Sequence, residues 1–139
     1  TNDIYLEVIN MPERTPITPA GISANPALSP GIRVGDLLFV SGNVATDSSG
    51  SLVGGSDCEA QSRQVMSNIR TIVEAAGSTM QDVVKITTFL TDVAIYPDFS
   101  RVRAETFPTS PPASSTVIVA GLVRPEFLVE VEAIVHLPG

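Results

Sequence analysis

The segment from Phe127 to His136, near the end of the chain, alternates between two kinds of side chain. One row is wholly apolar and comprises Phe127, Val129, Val131, Ala133 and Val135. The opposite row, which mixes carboxylates with aliphatic side chains, comprises Leu128, Glu130, Glu132, Ile134 and His136. Successive strand residues point to opposite faces of a sheet. The segment therefore predicts a strand with one face buried in a core. The mixed composition of the other face is typical neither of a core nor of a fully solvent-exposed surface.

The strand predicted just before it is apolar on both of its faces. Thr116, Ile118 and Ala120 point to one side, and Val117 and Val119 point to the other. A sheet built from such strands exposes apolar surface unless both of its faces are covered. Because two predicted helices cover only one face, we expect self-association to bury the other, with the carboxylates of the last strand near the subunit contacts.

The beginning of the chain is rich in proline. Residues 1–30 hold five of the eleven prolines, which fix φ and remove backbone hydrogen-bond donors. We expect this segment to be extended and irregular, apart from a short leading strand at 4–8. The apolar run at 36–41 is separated from Leu52 and Val53 by turn-forming residues, a pattern typical of a β-hairpin.

The clearest helical pattern covers residues 58–76, where apolar residues recur at three- and four-residue steps. Ser56 and Glu59 have the spacing of a capping box, in which each side chain accepts a hydrogen bond from the other residue's N–H. Gly77 is suited to the left-handed conformation that ends many helices.

Four further segments complete the expected fold. A β-branched run at 83–90 predicts a strand, and 97–107 predicts a second helix, since proline is favoured in a first turn. Strands are predicted at 115–120 and 128–136. The crossover rule places both helices on one face of a mixed sheet. We therefore expect one α+β domain over residues 1–139.

Composition excludes several classes of function. Eight Lys and Arg against fifteen Asp and Glu give a formal charge of −7 with no basic run, whereas nucleic-acid binding needs clustered cations. One Cys and one His cannot build a Cys/His zinc site. No apolar run approaches the roughly 18 residues that span a bilayer. We expect a cytoplasmic protein that binds neither nucleic acid nor membranes.

Two carboxylates on one strand face are the leading candidates for chemistry. Glu130 and Glu132 should repel each other, and partial burial should raise the pKa of one of them. A carboxyl group in that state can hold or deprotonate a water molecule. The alternative is that both pair with arginines of a neighbouring subunit, and spacing alone does not decide. Cys58, Lys85 and His136 lack activating partners in sequence reach and are interpreted as structural or surface residues.

Several segments together resemble the Rid family, also called YjgF or L-PSP. The matching segments are Gly35–Gly42, Gln61–Gln64, Asn68, Glu74–Gly77, Val84–Asp92, Pro112–Val117 and Val129–Ile134. The resemblance implies a chorismate-mutase-like fold and a homotrimer, with sheets lining a central barrel and a ligand cleft at each subunit contact. It also implies hydrolysis of reactive enamines and imines, such as 2-aminoacrylate, without a metal or organic cofactor.

The resemblance assigns roles to some residues of this chain, and it shows that one residue of the family's site is replaced. Active members clamp the substrate carboxylate with an arginine in a Pro-Ala-Arg-Ser segment, a task that suits a bidentate guanidinium. Ser114 stands at that position here, and Thr116 stands where the family has a cysteine. Leu28 falls near a family tyrosine. Glu130 matches the glutamate associated with the hydrolytic water, so the water-positioning half of the site is retained.

Other residues are expected to complete the cleft. Phe89 should line it together with Ser114 and Thr116, and Gly42 ends the first matching segment beside it. Arg124 precedes the last strand, and spacing does not show whether it reaches the cleft.

Two functions remain open from the sequence. The first is a small-molecule enzyme in which Glu130 handles a water or a substrate proton, acting on a less anionic or larger substrate than the family's usual one. The second is a non-catalytic trimer that binds small ligands or a partner protein.

Overall fold

The computed structural model describes residues 13–138 as one mixed sheet with two helices. The strands are β1 (Arg14–Ile17), β2 (Gly31–Val34), β3 (Leu37–Asn43), β4 (Val83–Leu90), β5 (Ala113–Ile118) and β6 (Val129–His136), and the helices are α1 (Cys58–Ala75) and α2 (Tyr96–Thr106). The strand order is β1-β2-β3-β6-β4-β5. Only β4 and β5, which α2 connects, run parallel among the described pairs.

The alternation predicted for the last strand is confirmed. Val129, Val131, Ala133 and Val135 are buried, whereas Glu130 and Ile134 are half-buried and Glu132 and His136 are exposed. The buried row faces α1, which packs against β3 and β6 and also contacts α2. β6 lies between β3 and β4, so both of its edges are hydrogen-bonded.

Helix α1 ends as expected but is capped differently at its start. Asp57 is the N-cap residue, and its carboxylate accepts hydrogen bonds from the backbone N–H groups of Glu59 (2.9 Å) and Ala60 (3.4 Å). The predicted capping box of Ser56 with Glu59 is therefore wrong by one residue, because the nearer carboxylate satisfies the free donors. Gly77 follows the helix with a φ of +81°, the left-handed conformation predicted for it.

The β-hairpin prediction paired the apolar run at 36–41 with the wrong segment. β3 pairs with β2 across a tight turn at Gly35, whose φ is +60°, while Leu52 forms only an isolated bridge with Thr46 among the described residues. β1 lies inside the proline-rich segment, and Pro16 is tolerated there because β1 is an edge strand. The strand expected at 4–8 lies outside the described residues.

A register shift changes one face of β4. The pairing with β6 is irregular between Val83 and Lys85, so Val83 is buried in the core although Lys85 points to the opposite face. Strict alternation along a strand predicts that Val83 and Lys85 share a face. That prediction is wrong at this end of the strand, because a β-bulge offsets the side-chain period by one residue.

The face of the sheet turned away from the helices carries apolar side chains in solvent. Leu37 is 36% exposed, Phe39 is 44% exposed and Val117 is 43% exposed. This surface, which we call the open face, is the second apolar face that the sequence predicts. Within residues 13–138, no helix has the length and apolar character required to cross a membrane.

Candidate active site

Glu130 occupies the space that a side chain at Gly42 would need. A Cβ added to Gly42 would lie 2.2 Å from Glu130 Oε1 and 3.1 Å from Glu130 Cδ. The register between β3 and β6 shifts between Val40 and Asn43, which places Gly42 within this irregularity. The bulge and the missing Cβ together let the backbone of β3 approach the carboxylate closely.

The surroundings of Glu130 disfavour its charge. Burial, and secondarily the neighbouring charge of Glu132, raise the pKa of Glu130 above its ordinary value. Within residues 13–138, no arginine pairs with either carboxylate. The raised pKa predicted for one member of the pair is therefore assigned to Glu130, while the arginine alternative would require a residue from another subunit.

Gly42 also lines a cavity of about 250 Å³, whereas Glu130 is not among the residues of its wall. The cavity brings together Leu28, Gly42 and Arg124, three of the residues predicted to bind substrate. The polar residues of its wall that sequence reasoning missed include Ser41, Asn43 and Asn68. The signal for the first two was the abrupt change from an apolar run to Ser-Gly-Asn at the end of β3.

Arg124 reaches this cavity, but other groups already bind its guanidinium. Its Nε donates to the Glu126 carboxylate at 2.8 Å and its Nη1 to the Gly50 carbonyl at 2.9 Å. The guanidinium carbon also lies 4.4 Å from the centre of the Phe127 ring. These contacts hold the Arg124 side chain in the cavity wall, where its charge is paired with that of Glu126.

The predicted residues on the other strands fall on two sides of the sheet. Phe89 pairs with Glu130 across β4 and β6, so both side chains lie on the open face. Ser114 and Thr116 pair with Ile86 and Thr88, which are buried on the helix side. Within one protomer, the structure therefore separates Ser114 and Thr116 from Glu130.

The three residues interpreted as structural or surface groups lie apart from this site. Cys58 is buried, and burial raises the pKa of its thiol. Lys85 Nζ donates to Ser115 Oγ at 2.9 Å, and His136 Nε2 lies 3.1 Å from an Asp36 carboxylate oxygen. In the described part of the chain, no three His, Cys, Asp or Glu residues are grouped so as to hold a metal ion.

Comparison with known proteins identifies relatives over nearly the whole chain. The family model described as "Endoribonuclease L-PSP" matches residues 18–137. The crystal structure of the yeast protein YEO7 matches this chain with a TM-score of 0.85. The two sequences are 32% identical, and the match covers 91% of this chain and 100% of the yeast chain.

Two bacterial structures give the same result. RidA from an Antarctic Psychrobacter is 32% identical, with 89% of this chain and 100% of its own covered and a TM-score of 0.83. The YjgF gene product of E. coli is 29% identical to this chain, and its structure gives a TM-score of 0.81. The match covers 88% of this chain and 98% of the E. coli chain. The expected chorismate-mutase-like α+β fold is confirmed, and the chain belongs to the Rid (YjgF/L-PSP) family.

Proposed function

We propose that this protein is a small-molecule enzyme that hydrolyses an enamine or imine, or performs related water and proton transfer, with Glu130 as the acid–base group. The observation that carries the proposal is the contact between Glu130 and Gly42, beside a cavity of about 250 Å³. A carboxyl group with a raised pKa is a better general acid–base catalyst near neutral pH than an ordinary glutamate.

The proposed step needs only water and the substrate. Glu130 takes a proton from water as the oxygen adds to the carbon of the C=N bond and passes that proton to nitrogen, which gives a carbinolamine. The carboxylate then takes the hydroxyl proton of the carbinolamine and delivers it to nitrogen as the C–N bond breaks, which releases a carbonyl compound and ammonia and leaves Glu130 ionised as it began. The sum is one imine and one water giving one carbonyl and one ammonia, with no oxidant or reductant.

The substrate should differ from the family's usual 2-imino acids. Ser114 stands where the resemblance expects the carboxylate-binding arginine, and a neutral hydroxyl cannot replace a charged bidentate donor. We therefore favour a less anionic or larger imine at Glu130. RNA cleavage, which the name of the family model suggests, has little support, since the chain carries a charge of −7 and phosphate binding requires clustered cations.

A homotrimer is part of this proposal. Leu37, Phe39 and Val117 expose apolar surface on the open face, and contact between subunits would bury it. A neighbouring subunit would also be the means of bringing Ser114 and Thr116 close to Glu130. We also propose a reducing, cytoplasmic location, which agrees with the single cysteine of the sequence.

The assembly has its own test. Phe39→Asp places a charge on the open face and should convert the trimer to monomers, as measured by light scattering after size-exclusion chromatography. Val93→Asp is the matched control, because Val93 is 69% exposed in the turn before α2. A trimeric mass for Phe39→Asp, or a monomeric mass for the parent, would contradict this arrangement.

The activity is tested by Glu130→Gln. Imines without a carboxylate, generated in solution by an amine oxidase, together with enamines and lactones, are offered to the parent and the variant, and product release is timed. We expect Glu130→Gln to lose about 10²-fold or more of the rate, the usual contribution of a general acid–base group. Glu74→Gln, which alters an exposed carboxylate on α1, should retain the rate of the parent protein.

Two outcomes separate the candidate functions. Loss of turnover in Glu130→Gln, with unchanged circular dichroism and oligomeric mass, supports the enzyme. Absence of turnover in the parent across the whole panel would overturn it in favour of the non-catalytic ligand-binding or protein-binding module.

A further inference from the structure

Lys85 and Glu132 line one hollow of about 190 Å³ on the open face. Lys85 is the only lysine of the chain. The pairing of β4 with β6 places Lys85 opposite Ile134 and Thr87 opposite Glu132, so the two charged residues are diagonal neighbours on adjacent strands. Opposite charges therefore lie among the apolar side chains that contact between subunits would bury.

The two charges do not pair with each other within one protomer. Lys85 Nζ donates to Ser115 Oγ at 2.9 Å, which holds the ammonium group toward the edge strand β5 and away from β6. Among the described residues, neither Lys85 nor Glu132 takes part in an ion pair. Each charge therefore lacks an ionic partner in its own copy, on a surface that the proposed homotrimer covers.

Covering either charge without a partner would be costly. A lone charge removed from water carries a large desolvation penalty, and a hydrogen-bonded partner of opposite charge offsets part of it. Two other basic residues of the open face are less suited to Glu132. Arg14 is exposed in the outermost strand β1, and His136 already contacts Asp36. Lys85 is half-buried among the apolar side chains themselves.

We propose that Lys85 of each copy forms an ion pair with Glu132 of the neighbouring copy across the subunit contact. Subunits in a closed ring meet through two different patches, and a lysine held toward the β5 edge and a glutamate on the central strand β6 supply two such patches. The ammonium group would exchange its hydrogen bond with Ser115 for a charge-assisted one, which is roughly twice as strong. This inference rests on the homotrimer of the proposed function and names a contact that fixes one copy against the next.

Reversing the two charges on separate copies tests the contact. Lys85→Glu and Glu132→Lys each place like charges across it, so each should raise the protein concentration at which the trimer dissociates by about tenfold or more. Light scattering over a dilution series measures that concentration. An equal mixture of the two variants should assemble where neither does alone, because a ring that contains both restores pairs of opposite charge. Pairing within a single copy predicts no such rescue.

Arg70→Glu and Glu74→Lys are the matched controls. They make the same changes in net charge on exposed residues of α1, on the opposite side of the sheet, and should assemble as the parent does, alone or mixed. The double variant Lys85→Glu with Glu132→Lys should recover the dissociation concentration of the parent. It keeps the contact testable where a single variant fails to fold, as judged by circular dichroism.

A second measurement uses the protein without substitutions. Subunits labelled with ¹⁴N and with ¹⁵N are mixed and allowed to exchange, and a carbodiimide then joins amines to the carboxylates that they contact. Mass spectrometry should find Lys85 joined to Glu132 in peptides that carry a different label on each side.

The outcomes separate this contact from the assembly on which it rests. A trimeric parent whose variants do not rescue each other, or whose cross-linked peptide is absent or carries one label throughout, would overturn the contact alone. A monomeric parent would overturn the contact together with the homotrimer of the proposed function.

Discussion

The contact between Gly42 and Glu130 makes a quantitative prediction for Gly42→Ala. The new Cβ would lie 2.2 Å from Glu130 Oε1, whereas ordinary contacts begin near 3.4 Å. The carboxylate must therefore retreat by about 1 Å, a displacement of the size that can cost an enzyme about 10²-fold in rate. Gly42 is not among the glycines with positive φ, so the backbone itself accepts alanine.

The effect on stability is the difference of two opposing terms. Overpacking costs about 1–3 kcal/mol, while replacing glycine by alanine stabilises by about 0.4–1 kcal/mol through the unfolded chain. Because the clashing atom is at the far end of a flexible side chain, we expect a net destabilisation of about 1 kcal/mol, near the lower end of that overpacking range.

A double-mutant cycle assigns this cost to its cause. Urea unfolding at a fixed protein concentration compares Gly42→Ala in the parent and in Glu130→Ala. Without the Glu130 side chain, Gly42→Ala should be neutral or stabilising by up to about 1 kcal/mol. Gly121→Ala is the control, since nothing lies within 4 Å of its added Cβ. An equal cost of Gly42→Ala in both backgrounds would refute the contact.

Two further predictions concern pH and helix capping. Because the pKa of Glu130 is raised on folding, ionising it opposes folding above the ordinary glutamate pKa. Glu130→Gln should therefore stabilise the protein relative to the parent as pH rises above the ordinary glutamate pKa, and the difference should vanish below that pKa; melting temperatures across pH test this, and a constant difference would contradict it. Asp57→Ala should destabilise the protein by about 0.5–2 kcal/mol in urea unfolding, since two backbone donors of α1 lose their acceptor; an unchanged midpoint would contradict that role.

The regular elements were predictable because their patterns are local. The 83–90 strand matches β4, and the predicted helix at 58–76 differs from α1 by a single residue at its end. β2 was missed because four residues after Pro30 carry too short a pattern, although Gly35-Asp36 between Val34 and the apolar pair Leu37-Leu38 is a usable turn signal. The cap at Asp57 was missed because neighbouring polar residues compete for the same donors.

The candidate site was only partly predictable, for a different physical reason. Glu130, Gly42, Leu28 and Arg124 were candidate site residues from the sequence, and the structure places three of these in one cavity wall and Glu130 against Gly42. The approach of Gly42 to Glu130 depends on a register shift between β3 and β6. No periodic pattern in either strand contains that information, since bulges arise from pairing between distant segments.

The contact between Ser114 and Arg103 shows the same limit. The sequence showed the absence of an arginine from β5 at this position. It did not show that α2 brings a guanidinium to 3.2 Å from the Ser114 hydroxyl. Side chains eleven residues apart meet here because α2 folds back beside β5, and this proximity follows from packing and not from spacing.

The pH dependence of kcat/KM in Glu132→Gln tests the central claim most directly. The charge of Glu132 contributes to the raised pKa of Glu130, so its removal should move the acidic limb of the profile to lower pH. Glu130→Gln should abolish that limb together with most of the rate. An acidic limb that stays in place in Glu132→Gln, or that persists in Glu130→Gln, would contradict the assignment of Glu130 as the acid–base group.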